Sequence, residues 1–143
     1  MDSHRHVAMN GFTWFYRELP GLMYLVGQKL IQTSDNKELL LWLFRLRQRF
    51  CVTGVSMFPL LKPGEDILVD TKAYRHCLPK IDDLVVAKHP HHQNLKIIKR
   101  VAFVDENGDC FLVGENREES SDSRSFGFVS SQQIIGRVTS KFP

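Results

Sequence analysis

Beyond Phe50 the apolar residues fall in short runs, each ended by turn-forming residues; before Phe50 they fall in longer, mixed stretches. The later pattern predicts strands over residues 50–55, 66–70, 84–87, 96–104, 110–114 and 133–138, all rich in Val, Ile, Leu and Phe. Lys62-Pro63-Gly64, Asn107-Gly108 and the polar residues 118–125 separate them, and Asn107-Gly108 between two apolar runs is a hairpin signal. Upstream, Asp35 and Glu38 have capping-box spacing before the apolar residues 39–44, which predicts a helix running to about Phe50. Short strands with long polar connections give a mainly β fold, a folded-over antiparallel sheet or partial barrel over residues 51–143. Residues 1–50 form an N-terminal helical extension to it.

Residues 12–31 are the most apolar part of that extension, but Arg17, Glu18, Pro20, Gly21, Gln28 and Lys29 interrupt them. The stretch reads as a broken amphipathic segment, packed on the domain or lying on a membrane surface, rather than as a spanning helix. The start of the chain lacks the clean apolar core and small-residue cleavage site of a secretory signal.

Charge adds a location to this picture. Residues 1–50 carry seven Lys/Arg against four Asp/Glu, and the remaining residues carry twelve against twelve. The basic excess, densest at Arg45, Arg47 and Arg49, is either a solvated helix face or a contact for an anionic membrane surface or acidic partner. It is too small, and too bare of motifs, for nucleic-acid recognition. The cysteines Cys51, Cys77 and Cys110 are odd in number and have no C-x-x-C spacing. That argues against a disulfide framework or zinc knuckle and favours a reducing, cytoplasmic setting, with Cys51 and Cys110 as core residues.

Two positions carry candidate chemistry. Ser56 lies in Gly54-Val55-Ser56-Met57-Phe58-Pro59, directly after a predicted strand. Gly54 permits a tight turn, and Pro59 stiffens the exit and holds Phe58 extended. Such a turn exposes the Ser56 hydroxyl and its own N–H, with Met57 and Phe58 beside a groove. A serine in an ordinary turn is the plain alternative. Lys99 is the second. On a strand over 95–103, Leu95, Ile97, Lys99, Val101 and Phe103 share one face, so Lys99 is its only charge. Burial lowers a lysine's pKa, and a neutral amine can accept a serine's proton near neutral pH. A lysine whose stem snorkels to a barrel rim is the alternative there.

Other motifs carry less. Ser34-Asp35-Asn36-Lys37 matches S-x-x-K but sits at a helix cap without a K-T-G partner. His89, His91 and His92 beside Pro90 read as a surface loop, not a metal site. There is no G-x-S-x-G elbow, and no motif supports a serine–histidine–aspartate triad.

Taken together, residues 52–138 resemble the catalytic domain of the type I signal peptidases. Val52-Thr53-Gly54-Val55-Ser56-Met57-Phe58-Pro59 is similar to the serine box, and Gly64-Glu65-Asp66-Ile67-Leu68-Val69 to the Gly-Asp strand after it. Asp83-Leu84-Val85-Val86 and Ile98-Lys99-Arg100-Val101 are similar to the next strand and the lysine box. Gly114-Glu115-Asn116-Arg117 through Asp122-Ser123-Arg124 and Phe126-Gly127 is similar to the last box. The resemblance implies coiled antiparallel sheets, a Ser56 nucleophile and a Lys99 base. It implies that Ser120 hydrogen-bonds and orients the lysine, that Asp122 and Arg124 pair behind the site, and that Asn116 supports it. Cleavage after small residues is implied, with no metal or organic cofactor. A repressor of the LexA type shares this core, but residues 1–50 lack a convincing helix-turn-helix.

The sequence also departs from the family. Glu115 replaces an aspartate, Leu60 replaces a threonine, and Gly54 stands where some members have a serine that helps the oxyanion hole. The resemblance then leaves oxyanion binding at residues 54–56 chiefly to the Ser56 N–H. No clear anchor is evident, and no room exists between Lys99 and Gly114 for the large extra β-domain of membrane signal peptidases. With Ala87-Lys88-His89-Pro90, this compactness looks most like the proteases that mature nickel-type superoxide dismutase. The expected partner is then a nickel superoxide dismutase precursor, with peripheral membrane contact through residues 12–50. An ordinary leader peptidase, bacterial or of the organelle inner membrane, is the alternative.

Overall fold

The computed structural model describes residues 35–143, so the stretch 12–31 and the rest of residues 1–34 lie outside the described part. Helix α1, Asn36–Leu43, starts as its sequence predicts: the Asp35 side chain caps it by accepting the Glu38 N–H at 2.9 Å. It does not reach Phe50. Arg45 takes a left-handed φ of 59°, which stops the helix, and Gln48–Cys51 becomes strand β1. Long-range pairing overrides helix propensity here. Arg47 returns to Glu38 and reaches Asp70, Arg49 pairs with Asp66, and β1 zips antiparallel onto β2, Asp66–Asp70. Cys51 is consequently exposed, not a core residue, while Cys110 is buried.

The remaining strands are β3, Leu84–Lys88; β4, Lys96–Val104; β5, Cys110–Val113; and β6, Ile134–Lys141. They form one antiparallel sheet in the order β1-β2-β6-β3-β4-β5, which stays open rather than closing into a barrel. Register shifts at Leu68/Val69, Val86/Ala87 and Val101/Phe103 coil it. The predicted β4–β5 hairpin forms over Asp105–Asp109, with Gly108 at φ 85°. One face buries Val52, Met57, Leu61, Ile67 and Val69, and the other buries Val85, Ala87, Val101, Leu112 and Val129. β3 is covered on both sides, which explains its unbroken apolar run.

The free edge of β5 is closed by side chains. The Leu112 N–H donates to Ser123 Oγ at 2.8 Å and the Gly114 N–H to Asp122 Oδ2 at 2.9 Å. Cys110 bridges to Val129. Residues 120–129, including the short helix α2, Ser123–Phe126, thus take the place of a seventh strand and bring the last motif to the end of β5.

Candidate active site

Ser56 sits in a turn within the connection between β1 and β2. The Phe58 N–H donates to Val55 O at 3.0 Å and the Leu61 N–H to Met57 O at 2.8 Å. That last contact puts Met57 and Leu61 on one side of a helical turn, both fully buried, with Phe58 turned outward and 46% exposed. Met57 therefore anchors the turn in the core and does not line the groove as the sequence reading expected; Phe58 and Val55 are the apolar residues presented to solvent. Gly54 departs from expectation in another way. Its φ is not left-handed, and a Cβ there would meet nothing within 4 Å. Gly54→Ala is accordingly expected to leave stability within about 0.5 kcal/mol of wild type, read by denaturant melts.

Lys99 lies at the middle of β4, opposite Val85 of β3, and is 4% exposed. Its Nζ is 2.6 Å from Ser56 Oγ. As an ammonium it donates to the hydroxyl oxygen; as a free amine it accepts the hydroxyl proton. Burial brings its pKa down from 10.5 to about 8; Asp122 opposes that shift and Arg124 reinforces it. The period-two reading of β4 thus predicts the environment of Lys99. It fails for its neighbour: Arg100 is also buried, because its guanidinium pairs with Glu115 and donates to Asp82 O at 3.0 Å. Glu115 therefore reaches an arginine of the lysine box, a link between two motifs that the sequence reading did not draw.

The last motif surrounds Asp122. This fully buried carboxylate receives the Gly114 N–H at 2.9 Å, the Ser120 hydroxyl at 2.8 Å and Arg124 in a two-pronged contact at 2.8 and 2.7 Å. Burial alone would raise its pKa; the arginine and these donors outweigh it and bring the pKa down to about 2. Ser120 does not hydrogen-bond Lys99; its hydroxyl donates to Asp122 instead. It does reach the site. A Cβ at Gly114 would fall 2.1 Å from Ser120 Oγ and 2.7 Å from Ser56 O, so Gly114 holds the two serine segments together. Asn116 supports Ser56 through its backbone, donating to Ser56 O at 2.9 Å. Among the described residues nothing accepts a hydrogen bond from the Ser56 N–H, which leaves it open to an incoming oxyanion.

The histidine loop divides. His91 and His92 are exposed as expected, but His89 is buried against the Phe126 ring, 4.6 Å between centroids, and its Nδ1 accepts the His91 N–H. Among the described residues no His, Cys, Asp and Glu cluster has the arrangement of a metal site.

The pattern described as signal peptidase, peptidase S26, matches residues 37–105 and 103–142. A mitochondrial ATP-independent inner membrane protease subunit 1b of Arabidopsis thaliana is 33% identical over 109 residues, 59% of this chain and 63% of that protein. Signal peptidase I of Buchnera aphidicola is 29% identical over 74 residues, 52% of this chain and 22% of that protein. Signal peptidase IB of Staphylococcus aureus is 46% identical over 35 residues, 24% of this chain and 18% of that protein. The chain spans less than two thirds of the length of each.

Proposed function

The chain belongs to the signal peptidase family, peptidase S26, a family of serine proteases, and from that premise we propose that it is a leader-type endopeptidase working through a Ser56–Lys99 dyad. The 2.6 Å contact between the Ser56 hydroxyl and a buried lysine amine carries the reading. Neutral Lys99 takes the hydroxyl proton as Ser56 Oγ attacks the scissile carbonyl. The Ser56 N–H stabilises the oxyanion. The lysine then passes its proton to the departing amine, and water hydrolyses the acyl-enzyme by the same base. No cofactor enters this scheme.

Two of the relatives above are signal peptidases and the third is an inner-membrane protease subunit. They support an ordinary leader peptidase, bacterial or of the organelle type, over the nickel superoxide dismutase branch expected from compactness. Contact with a lipid surface fits the same reading. Leu40 and Leu43 on α1 and its C-cap Phe44 are 54%, 66% and 71% exposed, although among the described residues no helix is long and apolar enough to cross a membrane.

Mass spectrometry of two precursors incubated with the protein separates the readings. One carries a small-x-small signal sequence and the other is a nickel superoxide dismutase proform. Cleavage of the first, lost in Ser56→Ala, is the expected result. Cleavage of the dismutase proform alone would reverse the substrate assignment.

A further inference from the structure

A buried carboxylate beside a catalytic amine is a hazard for base catalysis, because it stabilises the ammonium. Asp122 is such a carboxylate. It is fully buried and shares Gly114 with the dyad: the Gly114 N–H donates to Asp122 Oδ2, while a Cβ at Gly114 would run into Ser120 Oγ and Ser56 O. The sequence reading gave the control of Lys99 to Ser120. Yet the Ser120 hydroxyl donates to Asp122, and among the described residues Lys99 hydrogen-bonds only Ser56. What separates Asp122 from a lone anion is Arg124, whose Nε and Nη2 grip both carboxylate oxygens at 2.8 and 2.7 Å.

We propose that Arg124 is a positioning residue for the proton on Lys99: by neutralising Asp122 it prevents that carboxylate from locking the lysine as an ammonium. The consequence for catalysis rests on the reading of Lys99 as the base. Among the described residues the other charged groups around Lys99 do not supply this neutralisation. Arg100, next on β4, is committed to Glu115, and Lys96 points to the ring of Phe50. His89, at the end of β3, has a pKa lowered by burial and by His92, His91 and Lys99, so it is uncharged where Lys99 titrates. The direction of the Lys99 shift agrees: Asp122 raises its pKa and Arg124 lowers it.

The test reads the lysine directly and needs no substrate. Protein labelled with ¹³C-lysine is titrated by NMR, and the Lys99 resonance is assigned by its absence in Lys99→Met. In Arg124→Gln the midpoint is expected to rise by about one unit, because the carboxylate is left uncompensated. Arg124→Lys, which keeps the charge, is expected to restore it to within a few tenths of a unit. In turnover the same change appears as a ~10-fold loss at pH 7 that recovers at high pH, whereas a merely structural role lowers the rate equally at every pH. An unmoved midpoint in Arg124→Gln, or the same rise in Arg124→Lys, overturns the proposal. Should Arg124→Gln fail to fold, Asp122→Asn decides: its midpoint must fall, and an unchanged or higher one overturns the proposal. Failure of the dyad reading looks different, since Ser56→Ala would then retain activity whatever the lysine titration shows.

Discussion

Lys99→Met is expected to abolish cleavage and, at neutral pH, to make the protein more stable. The loss of activity follows from the 2.6 Å contact: among the described residues no other group hydrogen-bonds the Ser56 hydroxyl to take its proton. A general base contributes roughly 10²–10⁴ in rate, so a fall of about 10³-fold or more in kcat/KM is expected. Ser56→Ala should cost a similar factor and the double variant little more, because the two act as one unit. In the wild type kcat/KM should rise with pH through about 8, as the ammonium gives up its proton. A profile flat from pH 6 to 10 would remove Lys99 from the mechanism.

The stability gain has the same origin. The folded lysine releases its proton near pH 8, and the unfolded one holds it until about 10.5. Between those values the unfolded chain binds more protons, so native stability climbs with pH. Below pH 8 both states are protonated and the native state carries the whole penalty of a desolvated ammonium. Methionine fills much of the same space without a charge. A gain of roughly 1–3 kcal/mol at pH 7, shrinking towards pH 10, is the expected outcome of denaturant melts at the two pH values. A loss of stability at pH 7 would mean that the lysine is held by its contacts rather than stressed by burial.

Legibility from the sequence depended on range. Lys99 was readable because strand periodicity is local: five alternating positions define a face, and the one charged residue on it is conspicuous. The cap at Asp35 and the hairpin at Asn107-Gly108 were readable for the same reason. Most of the misreadings involve partners farther along the chain. The helix was carried past Leu43 because its end depends on β1 pairing with β2. Met57 was placed on a groove because nothing local tells that the turn rotates it towards Ile67 and Val69. Arg100 is buried because Glu115 reaches it from beyond β5, a partner that no local pattern shows. Resemblance assigns Ser120 to the lysine, whereas a carboxylate two residues along the same loop accepts its hydrogen bond. The composition of the Ser56 turn is local, but its orientation is set by the packing of the sheet.

Gly114→Ala should be the most damaging single-methyl change near the site. The added Cβ would lie 2.1 Å from Ser120 Oγ, 2.6 Å from Ser120 Cβ and 2.7 Å from Ser56 O. The serine side chain could swing aside, at the cost of its bond to Asp122. The Ser56 carbonyl cannot, because it is backbone and is tied to the Asn116 N–H at 2.9 Å. The clash must then shift either the Ser56 turn or the strand end that holds Asp122, and both move the hydroxyl relative to Lys99. Overpacking of this kind costs about 1–3 kcal/mol. A misplacement near 1 Å costs on the order of 10² in rate. The two effects can be read separately, by denaturant melts and by kcat/KM on protein that remains folded. Gly54→Ala, two residues before the same serine, adds the same methyl into open space and is the control. Equal behaviour of the two alanine variants would mean that the close approach at Gly114 does not position Ser56, and the account of how the last motif meets the dyad would fall with it.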